Sequence, residues 1–199
     1  MAKLYFRYGT MDSAKTLNLL AVAHNYRKQG KRVLLLKPRL DDRFGPQIIR
    51  SRSGLEAEAD VLVDDDELLD VEALRGLNCI LVDEAQFLSE ALVEQLRELT
   101  VSLDIPVICY GLRTDFQGRL FPGARRLFEL ADSIEEVKVT CQFCNRKAVF
   151  NLRMRGDRAV LEGPQIELGG DERYLPACYV HYSEELRRAA DTTLGIQAE

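Results

Sequence analysis

Tryptophan is absent from this 199-residue chain, and histidine occurs only twice. No apolar run is long enough to span a bilayer. The apolar residues near the start are broken by Lys3 and Arg7, so no signal peptide is expected. A surplus of positive charge is also missing. Against 27 Lys and Arg stand 32 Asp and Glu, a net charge of −5, which argues against general binding of nucleic acid or an anionic membrane surface. With no secretion signal, the five cysteines point to metal ligands or free thiols rather than disulfides. The expectation is a cytoplasmic protein with neither a nucleic-acid nor a membrane partner.

Hydrophobic residues make up 46% of the chain. That is enough for a sizeable core, and the length suits one domain, or one domain with a small appendage. The chain is organised around Gly9-Thr10-Met11-Asp12-Ser13-Ala14-Lys15-Thr16. An apolar strand, Leu4 to Tyr8, precedes this stretch, and a helix running to about Gln29 follows it. Strand, tight loop, Lys-Thr, helix is the layout of a phosphate-binding P-loop. Backbone N–H groups and the helix N-terminus would face phosphate oxygens. Lys15 would reach the β- and γ-phosphates, and the Thr16 hydroxyl would ligate Mg²⁺. The pattern departs from its usual form at Ala14, where glycine is the rule. If that position needs positive φ, alanine costs roughly 1 kcal/mol or more. Asp12 also places a carboxylate among the expected phosphates. Taken alone, the stretch also fits an ordinary strand-to-helix turn.

Cys79-Ile80-Leu81-Val82 is an apolar run ending in Asp83-Glu84. Acids can simply terminate a strand. After a phosphate loop, however, this is the pattern in which a carboxylate at the strand end holds Mg²⁺, at the open edge where α/β sheets bind ligands. Between the two motifs, Val33 to Leu36 reads as a buried strand and Val61 to Val63 as a short one. A helix is expected near Glu67 to Arg75. Residues 38–58 are polar and long, and read as a mobile functional loop or a disordered one. The first helix is expected to bury Leu17, Leu20 and Ala21 and to stop at Gly30.

Ser89 suits the N-cap of a helix carrying Leu92, Leu96, Leu99 and Leu103. A buried strand, Pro106 to Tyr110, a loop from Gly111 to Gly123, a helix near Ala124 to Ala131 and a strand near Glu136 to Val139 complete an α/β domain over residues 1–140. Strands alternating with helices imply a mostly parallel sheet. Cys79 and Cys109 lie inside apolar strands and read as core.

After Thr140 the pattern changes. Cys141-Gln142-Phe143-Cys144 and Cys178-Tyr179-Val180-His181 are two knuckles separated by a β-rich segment. Four such ligands suit a closed structural Zn²⁺ site, which would stabilise a segment too small for its own core. Short strands are expected at Val149 to Met154 and Val160 to Leu161, with a flexible stretch from Gly169 to Tyr174. Seven basic and seven acidic residues between Glu135 and Tyr182 give this segment no basic face. Residues 141–182 form a second domain on this reading. Residues 183–199 form a short helix and a loose tail.

The order of these motifs resembles the thymidine kinases of the type found in bacterial and animal cytosol, over Leu4 to Tyr182. Asp41-Asp42-Arg43-Phe44-Gly45, Asp83-Glu84-Ala85-Gln86-Phe87, Tyr110-Gly111-Leu112-Arg113-Thr114-Asp115-Phe116 and Gly169-Gly170-x-Glu172-Arg173-Tyr174 carry the likeness. The resemblance implies a RecA-like P-loop domain with a zinc-binding lasso domain, and transfer of the γ-phosphoryl group of ATP to the 5′-hydroxyl of thymidine. It implies that Glu84 is the catalytic base. Residues 9–16 with Asp83, Glu84, Ala85 and Gln86 would bind ATP. Phe87, Leu112, Phe116, Phe121 and Tyr174 would surround the nucleoside, with lasso backbone near Ile166 and Gly169 reading the base. It further implies a homotetramer and feedback by a thymidine triphosphate. A non-catalytic or weakly active nucleotide-binding protein on the same fold is the alternative, suggested by Ala14 and Asp12. A zinc-ribbon nucleic-acid module is disfavoured by the charge balance.

Overall fold

The apolar runs become the inner strands of a parallel sheet. The computed structural model describes residues 1–165 and 172–193. In the α/β domain, β1 (Leu4–Tyr8) leads into α1 (Lys15–Lys28) and then β2 (Val33–Pro38). A hairpin of β3 (Ile48–Arg50) and β4 (Glu56–Glu58) follows, then β5 (Val61–Val63) and β6 (Cys79–Val82). Helix α2 (Glu90–Ser102), β7 (Val107–Gly111), α3 (Pro122–Leu130) and β8 (Ser133–Glu136) complete the domain. The sheet order is β5-β2-β6-β7-β1-β8, and every pairing is parallel. One strand, β7, therefore separates the strand that feeds the phosphate loop from the strand that ends in the two acids.

Side-chain alternation divides the core. Cys79 and Leu81 face α1 with Val33, Leu35, Leu19, Leu20 and Ala23. Ile80 and Val82 face the other way, with Leu4, Phe6, Leu36 and the apolar stripe of α2. Both faces of β6 are thus covered, which is why its sequence is continuously apolar. Burial raises the thiol pKa of Cys109 and pushes that of Cys79 up to about 12, so both stay protonated core residues. Ser89 caps α2, its Oγ accepting from the Leu92 N–H at 3.2 Å. A Cβ on Gly123 would lie 2.6 Å from the Leu88 carbonyl oxygen and 2.8 Å from that of Ala85. The absence of a side chain there lets α3 rest on the turn that follows β6.

Several expectations are corrected. In α1 the buried residues are Lys15, Leu19, Leu20 and Ala23, and Ala21 is exposed. The helix does stop at Gly30, at φ 71. Residues 67–75 yield only a 3₁₀ turn, Glu72–Leu74. Residues 38–58 are neither structureless nor wholly exposed, because Ile49, Asp41 and Ser51 are buried and a two-stranded ladder pairs Ile48 with Glu58. The last strand of the sheet is Ser133–Glu136 rather than Glu136 to Val139.

The remainder of the described chain is a three-stranded antiparallel sheet. It is made of β9 (Phe150–Arg155), β10 (Arg158–Ala159) and β11 (Glu172–Ala177), in the order β10-β9-β11, with α4 (Tyr179–Thr193) packed on it. The expected strand at Val160–Leu161 falls two residues earlier. The short helix expected within residues 183–199 begins at Tyr179, inside the second knuckle, so the division at residue 182 runs through one helix. The core here is small: Leu152, Met154, Ala159, Ala177, Tyr182 and Ala189, with Phe150 stacked on Tyr182 at 4.5 Å. Among the described residues no helix is long and apolar enough to cross a membrane.

Candidate active site

The loop after β1 takes a conformation that its sequence makes costly. Asp12 and Ala14 both have left-handed backbone, at φ 63 and φ 62, and the Ala14 carbonyl accepts from the Asn18 N–H at 3.0 Å as α1 begins. Lys15 is buried and turns back into the loop. Its Nζ donates to the Thr10 carbonyl at 2.7 Å and to Ser13 Oγ at 3.3 Å. Burial lowers the pKa of this ammonium, while the nearby charges of Glu84 and Asp83 act against that shift. Asp12 does not stand as a bare carboxylate among the loop N–H groups. Arg52, at the tip of the β3–β4 hairpin, forms an ion pair with it.

Across the sheet edge, Thr16 Oγ1 lies 3.2 Å from each carboxylate oxygen of Asp83. A hydroxyl facing a carboxylate is a donor set for a hard divalent cation. Burial, and then the charge of Glu84, push the Asp83 carboxyl up to about 7. Glu84 itself has left-handed backbone, φ 49 and ψ 39, the kind of strain that gathers at functional sites. The conformation aims its carboxylate into the cavity. One oxygen pairs with the Arg43 guanidinium and the other accepts from Gln86 Nε2 at 2.7 Å. Gln86 Oε1 in turn accepts from the Leu112 N–H at 2.9 Å. A Cβ on Gly111 would sit 2.8 Å from that oxygen, so glycine at the end of β7 leaves room for the brace. Arg43 also donates to Asp41 at 2.6 Å, and Asp41 pairs with the buried Lys37 at 3.1 Å. Burial would raise Asp41, but Arg43 and Lys37 outweigh it and hold the carboxyl below its ordinary value. The charge of Glu84 is the leading cause that raises Arg43.

All of this opens into one cavity of about 860 Å³. Residues Met11 to Thr16, Arg43, Arg52 and Glu84 line one part of it. Phe87, Leu112, Phe116, Phe121 and Tyr174 line another, with Phe87 and Phe121 edge to face at 5.5 Å. Four residues of the expected ATP set lie elsewhere. Gly9 and Thr10 line a small void behind the loop, Asp83 is covered beneath Glu84 and Thr16, and Ala85 is fully buried in the core under α3. Ile166 and Gly169 lie outside the described residues. Thr114, Arg173, Asn151 and Gln165 join the lining; the first two lie in segments that carry the resemblance without a role assigned, and the last two have no local sequence signal, since their positions depend on the meeting of the two sheets. Arg43 lies in a segment that carries the resemblance and Arg52 stands out only as a charge in a polar loop; neither has a role in the sequence, and their partners, 41 and 40 residues away, set their places here.

The two knuckles also meet. One ligand atom from each of Cys141, Cys144, Cys178 and His181 lies within 4.8 Å of every other, a group that could hold a metal ion. Cys144 Sγ is 3.9 Å from Cys178 Sγ. His181 Nδ1 is 3.4 Å from Cys178 Sγ and 3.6 Å from Cys141 Sγ. Burial works to raise the Cys141 thiol, but backbone N–H groups and His181 outweigh it and hold it at about 6, so this sulfur is readily a thiolate.

Lys15 and Thr16 beside an acidic strand end, with an aromatic cavity adjoining, define a P-loop α/β protein, and its appendage carries a Cys₃His group that could hold a metal ion. The chain belongs to the thymidine kinase family, whose model matches residues 2–182. Thymidine kinases of Streptococcus pyogenes serotype M3 and Lactiplantibacillus plantarum are each 44% identical to it over 184 residues. These matches cover 92% of this chain and 97% and 96% of those proteins respectively. The thymidine kinase of Streptococcus gordonii is 44% identical over 186 residues, covering 92% of this chain and 96% of its own. A Pif1 helicase from Candida albicans overlays 68% of this chain and 36% of its own, with a TM-score of 0.38 and 13% identity, too loose a likeness to carry weight. Family membership makes the chain a kinase.

Proposed function

We propose that the chain transfers the γ-phosphoryl group of ATP to the 5′-hydroxyl of thymidine, forming dTMP for nucleotide salvage and DNA synthesis. One observation carries this reading: the Glu84 carboxylate lines the same cavity as the Lys15 loop on one side and the aromatic walls on the other. A pyrimidine fits between aromatic faces. A primary alcohol beside Glu84 gives its proton to the carboxylate as its oxygen attacks the γ-phosphorus and ADP leaves. Lys15 and Arg43, both lining the cavity, offset charge on the transferring group. The Thr16 hydroxyl and Asp83 carboxylate would hold Mg²⁺, which when bound neutralises the β- and γ-phosphates. A non-catalytic protein on the same fold is not supported. Lys15, Thr16, Asp83 and Glu84 are all present, Ala14 adopts the backbone that glycine would, and Asp12 is paired.

Cys141, Cys144, Cys178 and His181 would hold a structural Zn²⁺. An ion with Zn–S bonds of ~2.3 Å sets tetrahedral sulfurs about 3.8 Å apart, close to the 3.9 Å between Cys144 and Cys178. Resemblance also supports a lasso through Ile166 and Gly169 over the base, a homotetramer, feedback by a thymidine triphosphate, and a cytoplasmic location. Coupled detection of ADP release at millimolar ATP, with a panel of nucleosides, tests the central reading. Release that depends on thymidine is expected, and its absence overturns the proposal.

A further inference from the structure

The small sheet meets the α/β domain along one seam, and most of its hydrogen bonds there reach β8 or the segment after β7. Lys147 pairs with Glu136 at 2.6 Å. The Val149 carbonyl accepts from Arg113 at 2.9 Å, the Leu161 carbonyl from Gln117 at 3.3 Å, and Tyr182 donates to the Phe116 carbonyl at 2.6 Å. Asn151, on β9, does something different. It is 3% exposed and uses both ends of its amide. Its Nδ2 donates to the Thr114 carbonyl at 3.3 Å. Its Oδ1 accepts from the backbone N–H of Met11, in the phosphate loop, at 2.7 Å. The two partners fix the amide's orientation, because an N–H needs the oxygen and a carbonyl needs the nitrogen.

That anchor falls where the loop is strained. Of the three residues after Met11, Asp12 and Ala14 are non-glycine residues at φ 63 and φ 62. Such backbone persists only where its surroundings over-determine it. Within the loop, Lys15 holds Thr10 and Ser13, and Asn18 holds Ala14; the Arg52–Asp12 pair ties it from outside, but its arginine is largely exposed and so weakly held. A short bond to a buried amide is the firmer constraint, and its loss leaves a backbone N–H without its partner.

We propose that Asn151 is a positioning residue through which the metal-binding domain holds the phosphate loop in its nucleotide-binding shape. The ATP site is then completed from the small domain, and whatever loosens β9 loosens the loop. This rests on reading the Lys15 loop as the ATP site, though not on the identity of the nucleoside.

The test is calorimetric titration of the full chain with a non-hydrolysable ATP analogue and Mg²⁺, together with amide hydrogen exchange. Asn151→Leu keeps the size of the side chain and removes both hydrogen bonds, while Asn151→Ala guards against a misfit of the leucine. Both variants are expected to bind the analogue about tenfold more weakly. Exchange is expected to speed up in the peptide covering residues 9–16. Metal content and exchange in β9 and β11 should stay as in the parent protein. Wild-type affinity in both variants overturns the proposal. So does a loss of affinity that comes only with lost metal and lost β9–β11 protection, which marks a purely structural role. A parent protein that fails to bind the analogue overturns it too. One that binds the analogue but releases no ADP with thymidine overturns the proposed function alone.

Discussion

Ala14 holds a backbone conformation, φ 62, that costs an L-residue roughly 1 kcal/mol or more relative to glycine. Glycine also gains freedom in the unfolded chain, which offsets about 0.4–1 kcal/mol of any benefit. Ala14→Gly is therefore expected to be neutral or to stabilise by about 0.5 kcal/mol, read as a rise in Tm of roughly 1–2 °C. ATP-analogue affinity should hold or improve. Weaker binding in the variant would mean that the loop relies on the methyl group. Glu84 is strained too, at φ 49, and on the proposed function that strain places the reacting group. Glu84→Gln keeps the shape and can still accept from Arg43, but its amide cannot take a proton. Turnover should drop by about 10²-fold or more with little change in Tm. A variant with parental kcat would show that another group receives the hydroxyl proton.

At the scale of elements, the two motif-bearing strands were legible for different reasons: burial on both faces makes β6 continuously apolar up to its two acids, while β1 buries Leu4 and Phe6 and runs straight into the glycine that opens the loop. The β3–β4 hairpin was not. Its strands have three residues each, and only Ile49 among them is fully buried, too little for a period to show. Long-range ion pairs, Arg43 with Glu84 and Arg52 with Asp12, bring it over the site, and local sequence does not carry such partners. The helix expected at 67–75 failed because only Leu69 and Leu74 are buried there, so no apolar face supports more than one turn. The end of β6 carries its own prediction. The Asp83 carboxyl, raised to about 7 by burial and by Glu84, binds more protons folded than unfolded. Its contribution to stability is lost as pH rises from about 4, where the unfolded group ionises, through about 7. Asp41 is shifted the other way, so its window lies at and below its ordinary value. Asp83→Asn should flatten the metal-free Tm profile between pH 5 and 8, making the variant more stable than the parent at pH 8 but not at pH 5. Parallel profiles across that range would show that Asp83 is ionised throughout.

For the whole molecule, the question is how a domain with so small a core keeps its place in the active site. Among the described residues its packed apolar cluster has six buried members, three of them alanine, while it supplies Asn151, Gln165 and Tyr174 to the cavity. A core of that size does not offset the ordering of three strands and a helix. With the proposed Zn²⁺ bound, four ligands within 4.8 Å of one another would provide the missing constraint, since metal-binding free energy is folding free energy when no site preforms. Cys178 joins β11 to α4, so Cys178→Ser opens the cluster where sheet and helix meet. The variant should lose metal, measured by elemental analysis of the purified protein. A low-temperature unfolding step should separate from the main transition, because the parallel sheet has its own two-sided core. Nucleoside binding should fall most, as Tyr174 loses its place on β11. ATP-analogue binding should fall as well, and only as far as in Asn151→Leu, if the loop is reached through that one amide. A Cys178→Ser protein with full metal and a single transition at the parental Tm would contradict the ligand assignment. One that loses metal yet keeps parental ATP affinity would show that the two halves of the cavity are held independently.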